Sequence, residues 1–116
     1  MNKILLVNNQ SLNQEKFLIQ NQLLFDSAKE LNCSLDIKTN CDVINILLEN
    51  NKLDYDAVMF YDKDIILAKT LENMGLKVFN SSEAINNCDN KALTTLCTQK
   101  NNIPIPKTSI IPLIFY

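Results

Sequence analysis

Asn8, Asn9, Gln10 and Ser11 bring three amides and a hydroxyl together in one short stretch. Side chains of this kind can hydrogen-bond a small polar substrate without contributing charge. They follow the apolar run Ile4-Leu5-Leu6-Val7. In open α/β sheets ligands bind beyond the carboxyl ends of the strands, so the stretch stands where a substrate contact belongs. A polar turn carrying a helix cap is the alternative reading. The glycine pattern G-x-G-x-x-G is missing, so backbone cannot approach a pyrophosphate in the dinucleotide manner. A second stretch, Tyr61-Asp62-Lys63-Asp64, follows the apolar run Ala57-Val58-Met59-Phe60. Asp62 and Lys63 are candidates for contacting substrate, whereas Asp62 or Asp64 could simply cap the next helix.

An aspartate at the end of a third strand invites comparison with response-regulator receivers. Their phosphoacceptor chemistry needs an acidic pair after the first strand to hold a divalent cation. Asn8 and Asn9 stand there instead, and Lys107 matches the receiver lysine only loosely. The sequence therefore disfavours a receiver. The four cysteines, Cys33, Cys41, Cys88 and Cys97, form no C-x-x-C pair, and the chain has no histidine. That composition argues against a zinc site. The cysteines read as small core or half-buried residues. No metal ligand and no catalytic residue is assigned from the sequence.

The third stretch is the most informative. Asn80-Ser81-Ser82-Glu83-Ala84-Ile85 is followed by Asp89-Asn90-Lys91 and then by Ile103-Pro104-Ile105-Pro106-Lys107-Thr108. This order resembles the approach to the catalytic region of ATP-grasp enzymes, particularly the ribosomal-protein-S6 glutamate ligase-like group. Those proteins run from a strand into N-x-x-x-x-I, then a D-K pair opening a helix, then I-P-x-P-x-T. The family form has Asp and Lys adjacent. Here Asn90 intervenes, so either Asn90 takes the Asp place or the cap is shifted by one.

The resemblance implies that Lys91 contacts an ATP phosphate. A lysine in a first helical turn stands beside exposed N–H groups, which suits an anion better than it suits the helix. The resemblance also implies a carboxylate–amine ligase using ATP and Mg²⁺, acting on a small-molecule or peptide substrate. This chain would be its N-terminal, pre-ATP-grasp domain, inactive without a C-terminal ATP-grasp domain. The loops at residues 8–11 and 61–64, with Asn8, Asn9, Ser11, Asp62 and Lys63 as the contacts, would supply part of the acceptor pocket.

The elements that position these residues alternate in type. Residues 3–7 read as a buried strand. Helical spacing follows at Phe17, Leu24, Ala28 and Leu31, with Leu23 alongside. Ser11 and Gln14 have capping-box spacing, so this helix begins at Ser11 or at Asn13, and Asn32 stops it. Residues 34–38 alternate in polarity, as a strand near an edge does. Asp42 caps a short helix that turns Val43, Ile46 and Leu47 inward. Residues 56–61 are a central strand. Residues 64–74 carry Ile65, Ala68, Leu71 and Met74 at helical spacing before Gly75, and residues 76–79 are a fourth strand. Asn80 and Glu83 have capping-box spacing and open a short helix ending at Asn86 or Asn87. Asp89 caps a separate helix to about Lys100. Pro104 and Pro106 end it, and residues 107–111 read as a last strand. The pattern specifies a three-layer α/β/α Rossmann-like open parallel sheet of about four to five strands, with right-handed crossovers.

The 116 residues suit one domain, residues 1–116, able to bury a core without disulfides. The net charge of -2 leaves no basic excess for nucleic acid. No apolar run is long enough for a membrane span, and the N-terminus lacks a signal-peptide pattern, so a cytoplasmic protein is expected. The apolar ending Ile110-Ile111-Pro112-Leu113-Ile114-Phe115-Tyr116 suggests a chain cut before its catalytic domain. The alternative is a self-contained binding or interaction module that forms a homodimer through residues 110–116.

Overall fold

The computed structural model describes residues 1–12 and 14–111. Its first strand, β1 (Asn2–Asn8), runs through the middle of the molecule with Leu5, Leu6 and Val7 fully buried. Three consecutive buried residues point to both faces of a sheet, so both faces must be covered. Helix α1 (Glu15–Glu30) covers one of them, and β2 (Cys33–Thr39) follows. Next come α2 (Asn40–Leu48), β3 (Ala57–Tyr61), α3 (Ile65–Asn73), β4 (Val78–Phe79), α4 (Ser82–Asp89) and α5 (Lys91–Lys100). All strand pairs are parallel and the order is β2-β1-β3-β4. The fold is thus the open, Rossmann-like α/β arrangement that the sequence specifies.

Side-chain parity divides the core in two. Leu5, Val7, Val58, Phe60 and Val78 meet Val43, Leu67, Ala68, Leu71 and Ile85 from α2, α3 and α4. Leu6 and Leu35, with Ile4 and Met59, meet Ala28, Leu24 and Phe25 of α1. Burying each large apolar side chain contributes about 1.5–3 kcal/mol, so the first and larger layer carries most of the stability. Helix α5 has no buried residue and packs beside α4.

Among the described residues the sheet holds four strands, and residues 107–111, expected as a fifth, form none. Residues 103–111 run without regular structure. Pro104 and Pro106 offer no N–H to a ladder, and the Thr108 hydroxyl donates to the Pro106 carbonyl at 2.7 Å. Residues 112–116 of the expected apolar tail lie outside the described residues, as does Asn13, one of the two expected starts of α1.

Helix α1 opens later than either expected start, with Gln14 as its N-cap and no side-chain cap. Leu23 and Leu31 point outward, and Phe25 takes an inward place. Thr39, not Asp42, caps α2. The Thr39 hydroxyl accepts from the Asp42 N–H at 3.1 Å while Asp42 accepts from the Thr39 N–H at 2.9 Å. These bonds to Thr39, the backbone one foremost, hold the Asp42 carboxyl below the usual range. Ile44 joins Val43 and Leu47 against the core in place of the expected Ile46. Met74 is half exposed because it sits past the end of α3. Ser81 rather than Asn80 caps α4, accepting from the Ala84 N–H at 3.2 Å. That helix continues to Asp89, beyond the expected Asn86 or Asn87. Cys33 and Cys97 are half-buried, but Cys41 and Cys88 are exposed because the outward sides of α2 and α4 carry them.

Four helices end alike. The second residue after each of α1, α2, α3 and α5 is left-handed: Asn32 (φ 55°), Asn50 (φ 56°), Gly75 (φ 89°) and Asn102 (φ 56°). Behind α2, α3 and α5 the following N–H reaches back five residues, as in Asn51 to Ile46, Leu76 to Leu71 and Ile103 to Thr98.

Candidate functional site

Strands β1, β2 and β3 end level, because Asn8 pairs with Thr39 on one side and Tyr61 on the other. Beyond that line the chain leaves β1 for α1 on one face and β3 for α3 on the other. The divergence opens a gap between the two loops, the topological switch point where ligands bind in open sheets. An open cleft of about 740 Å³ lies there, lined by Asn9, Ser11, Leu12, Phe60, Tyr61, Asp62, Lys63 and Asn80.

The cleft's polar groups are cross-braced. Asn9 Nδ2 donates to Asp62 Oδ1 at 3.0 Å. Asn9 Oδ1 accepts from the Ser11 N–H at 2.8 Å, a turn that fixes the loop after β1. Asp62 Oδ1 also accepts from the Lys63 N–H at 2.8 Å. Gln10 ties the same loop to the start of α2 through Asn40 Oδ1 and the Thr39 hydroxyl, both at 3.1 Å. Asp62 Oδ2 is buried and has no hydrogen-bond partner among the described residues. A buried carboxylate oxygen left without a donor is costly, so it marks a place where a ligand can supply one.

At the rim, Lys63 Nζ meets Asp89 Oδ1 at 2.5 Å. The Asp89 carboxylate raises the Lys63 pKa, first by hydrogen bonding and then by its charge. A smaller depression bounded by Asp62, Lys63, Asn80, Ile85, Cys88 and Asp89 continues the cleft toward α4. Helix α4 is held there by Glu72 of α3, which accepts from the Ser82 N–H at 2.7 Å and the Ser82 hydroxyl at 2.6 Å. Asp64 is a cap as expected, accepting from the Leu67 N–H at 2.9 Å.

Of the residues singled out by sequence, Asn9, Ser11, Asp62 and Lys63 gather around the cleft. Asn8 does not. Strand parity sends it to the α1 face, where its Nδ2 donates to Asn21 Oδ1 at 2.9 Å beside a separate depression of about 170 Å³. Lys91 is exposed at the first position of α5 and is not among the residues lining the cleft. Asp89 ends α4, and Asn90 caps α5 instead of Asp89, accepting from the Ala92 and Leu93 N–H groups at 3.0 and 3.2 Å. Asn90 is therefore the cap of α5, and Asp89 is left to pair with Lys63. Tyr61 opens the expected 61–64 pocket loop without being singled out as a contact, and Asn80 is a lining residue that the sequence reading did not assign to the pocket. The same rule that pointed past β1 and β3 points past β4 to Asn80.

Among the described residues no group of three or more His, Cys, Asp or Glu side chains could hold a metal ion. The cleft's lining groups can hydrogen-bond a polar ligand.

The fold and this cleft define an open α/β domain with a ligand-sized depression at its switch point. The chain is similar to two curated proteins. It is 49% identical over 79 residues to the uncharacterized protein MG012 homolog of Mycoplasma pneumoniae, covering 66% of this chain and 27% of that protein. It is 40% identical over 97 residues to the uncharacterized protein MG012 of Mycoplasma genitalium, covering 81% of this chain and 33% of that protein. The matches thus span about a quarter to a third of these relatives' lengths. No protein-family model matches the chain. No solved structure matches it. Among the described residues no helix is long and apolar enough to cross a membrane.

Proposed function

We propose that the chain is the N-terminal, substrate-side domain of an ATP-dependent carboxylate–amine ligase of the ATP-grasp type and is inactive alone. The observation that carries this reading is the layout from Asn80 to Lys91. A strand ends at Phe79, a short helix follows, and an Asn-capped helix then opens with Lys91 at its first position. That is the order of elements which the resemblance requires. The Lys63–Asp89 pair ties the end of α4 to the cleft rim, and Lys91 follows two residues later.

The residues present fit one part of the nucleotide site. Lys91 offers a cationic contact to phosphate, but Asn90 already occupies two of the N–H groups at that helix end. A phosphate cradle and a carboxylate set for Mg²⁺ would come from a catalytic half. The relatives are long enough to contain one. ATP, with Mg²⁺, supplies the activation of a carboxylate in this chemistry, while the cleft of this domain holds a small-molecule or peptide substrate.

The test joins this chain to the downstream residues of the Mycoplasma pneumoniae relative and measures ADP release with mixed carboxylate and amine substrates. Amine-dependent ADP release from the chimera, and none from the 116-residue chain, is the expected result. Lys91→Ala should raise the KM for ATP about tenfold, as the loss of one charge-assisted contact does. No nucleotide binding by the folded chimera, or an unchanged KM in the variant, overturns the reading. Sedimentation of the chain with and without residues 110–116 tests the interaction-module alternative.

A further inference from the structure

The geometry points to the cleft between the β1 and β3 loops as a binding site for a primary ammonium group carried on a short apolar stem, with Asp62 Oδ2 as its acceptor. Asp62 Oδ1 is fully engaged, by Asn9 Nδ2 at 3.0 Å and the Lys63 N–H at 2.8 Å, so the carboxylate cannot turn to satisfy its other oxygen. Oδ2 is buried, unpartnered among the described residues and borne by a residue lining the cleft. Two fixed donors on one oxygen and none on the other leave the second oxygen short of a donor; it is covered by its neighbours, so a ligand reaches it by displacing that cover.

The nearest cation does not fill this role. Lys63 Nζ lies against Asp89, and that pair neutralises itself. Asn9, Ser11, Tyr61 and Asn80 are uncharged, so Asp62 sets the sign of the inner cleft. An ammonium satisfies a carboxylate with charge-assisted hydrogen bonds, which a neutral hydroxyl or an anion does not match. Leu12, Phe60 and Tyr61 supply the apolar wall along which a hydrocarbon stem can lie.

This binding claim stands on the cleft itself; only the next step rests on the ligase reading. A nitrogen held as ammonium is not a nucleophile. The group on Asp62 is therefore an anchor, and the reacting end of the substrate lies farther along, in the depression that continues toward α4. A substrate with an ammonium at one end and a second functional group at the other, such as an amino acid or a peptide, meets that requirement.

The probes are n-butylammonium, 1-butanol and butyrate, titrated into the 116-residue chain without nucleotide. The readout is the amide shift of Ser11 and Lys63, whose N–H groups bond to Asn9 and Asp62. Butylammonium should bind tightest of the three. Asp62→Asn should weaken it about tenfold while leaving butanol within about twofold. Asn80→Asp leaves the Asp62 bonds untouched and adds a carboxylate to the same cleft, so it should tighten butylammonium, and it decides the matter where Asp62→Asn does not fold. Equal binding of butanol and butylammonium, no binding of butylammonium, or indifference to the charge changes overturns the inference. Because no ATP is involved, its failure is separate from failure of the ligase reading.

Discussion

Glu72→Gln tests how the structure brings α4 to the rim of the cleft. The Glu72 carboxylate accepts from both the N–H and the hydroxyl of Ser82, at 2.7 and 2.6 Å. Glutamine keeps the shape but replaces one acceptor with an NH₂ group that faces a donor. A hydrogen bond to a charged group is worth about 1.5–3 kcal/mol, and partial solvent access puts this one near about 1.5 kcal/mol. The unfolding entropy of about 2.1 cal/mol/K per residue, over a chain of this size, gives about 0.24 kcal/mol/K. The melting temperature should then fall by about 6 °C at neutral pH.

The effect has a sign in pH. The Ser82 hydroxyl first, and the Ser82 N–H second, hold the Glu72 carboxyl below its ordinary range. A depressed folded-state pKa gives stability that is complete above the unfolded value of about 4.3 and is lost as pH falls through the folded value. The gap between wild type and variant should therefore close as pH is lowered from about 7 to about 3. Thermal melts of both proteins across that range measure it. Amide exchange should quicken from Ser82 to Lys91, the segment that Glu72 anchors. A gap that is absent at neutral pH, or that stays constant as the solution is acidified, refutes the argument.

Tyr55→Phe should act at the other end of the scale. The Tyr55 hydroxyl donates to Asp36 Oδ2 at 2.8 Å, and burial, then Asp36, pushes its pKa up to about 12. A raised folded value gives stability that is present below the unfolded value of about 10 and lost as pH climbs through the folded value. Urea unfolding should show wild type losing stability across that alkaline window and the variant losing less. Gly75→Ala should cost about 1 kcal/mol and lower the melting temperature by about 4 °C. A Cβ there meets nothing within 4 Å, so the cost comes from φ 89° alone. An unchanged melt would show that the turn relaxes.

The alternation of apolar runs was enough to read the fold. Leu5, Leu6 and Val7 in succession demand cover on both faces, and the parallel sheet follows. Cap positions were harder, because Ser, Thr, Asn and Asp crowd every boundary. Thr39 and Asp42 satisfy each other, so either looks like the cap from composition. The missing last strand was illegible for a different reason. Its residues are apolar, but pairing depends on donors that the neighbouring prolines lack and on an open sheet edge, and composition reports neither. The cleft was half legible. Asn9, Ser11, Asp62 and Lys63 follow from strand ends, and Asn8 fails by parity, which a count from Leu6 could have shown. Asn80 escaped because it was read as a helix opening. The unpartnered oxygen of Asp62 depends on hydrogen bonds from two different loops, and no linear pattern encodes it.

The asparagines at positions 32, 50 and 102 occupy corners that many proteins give to glycine. A side chain at such a corner narrows the wandering of the denatured chain, whereas glycine widens it. Each of these reversals thus starts from a smaller crowd of competing shapes. Replacing the three asparagines with glycine would relieve local backbone tension and yet enlarge the ensemble from which folding begins. The two effects oppose each other, so a chain this poor in glycine can close its helices with little sacrifice of stability.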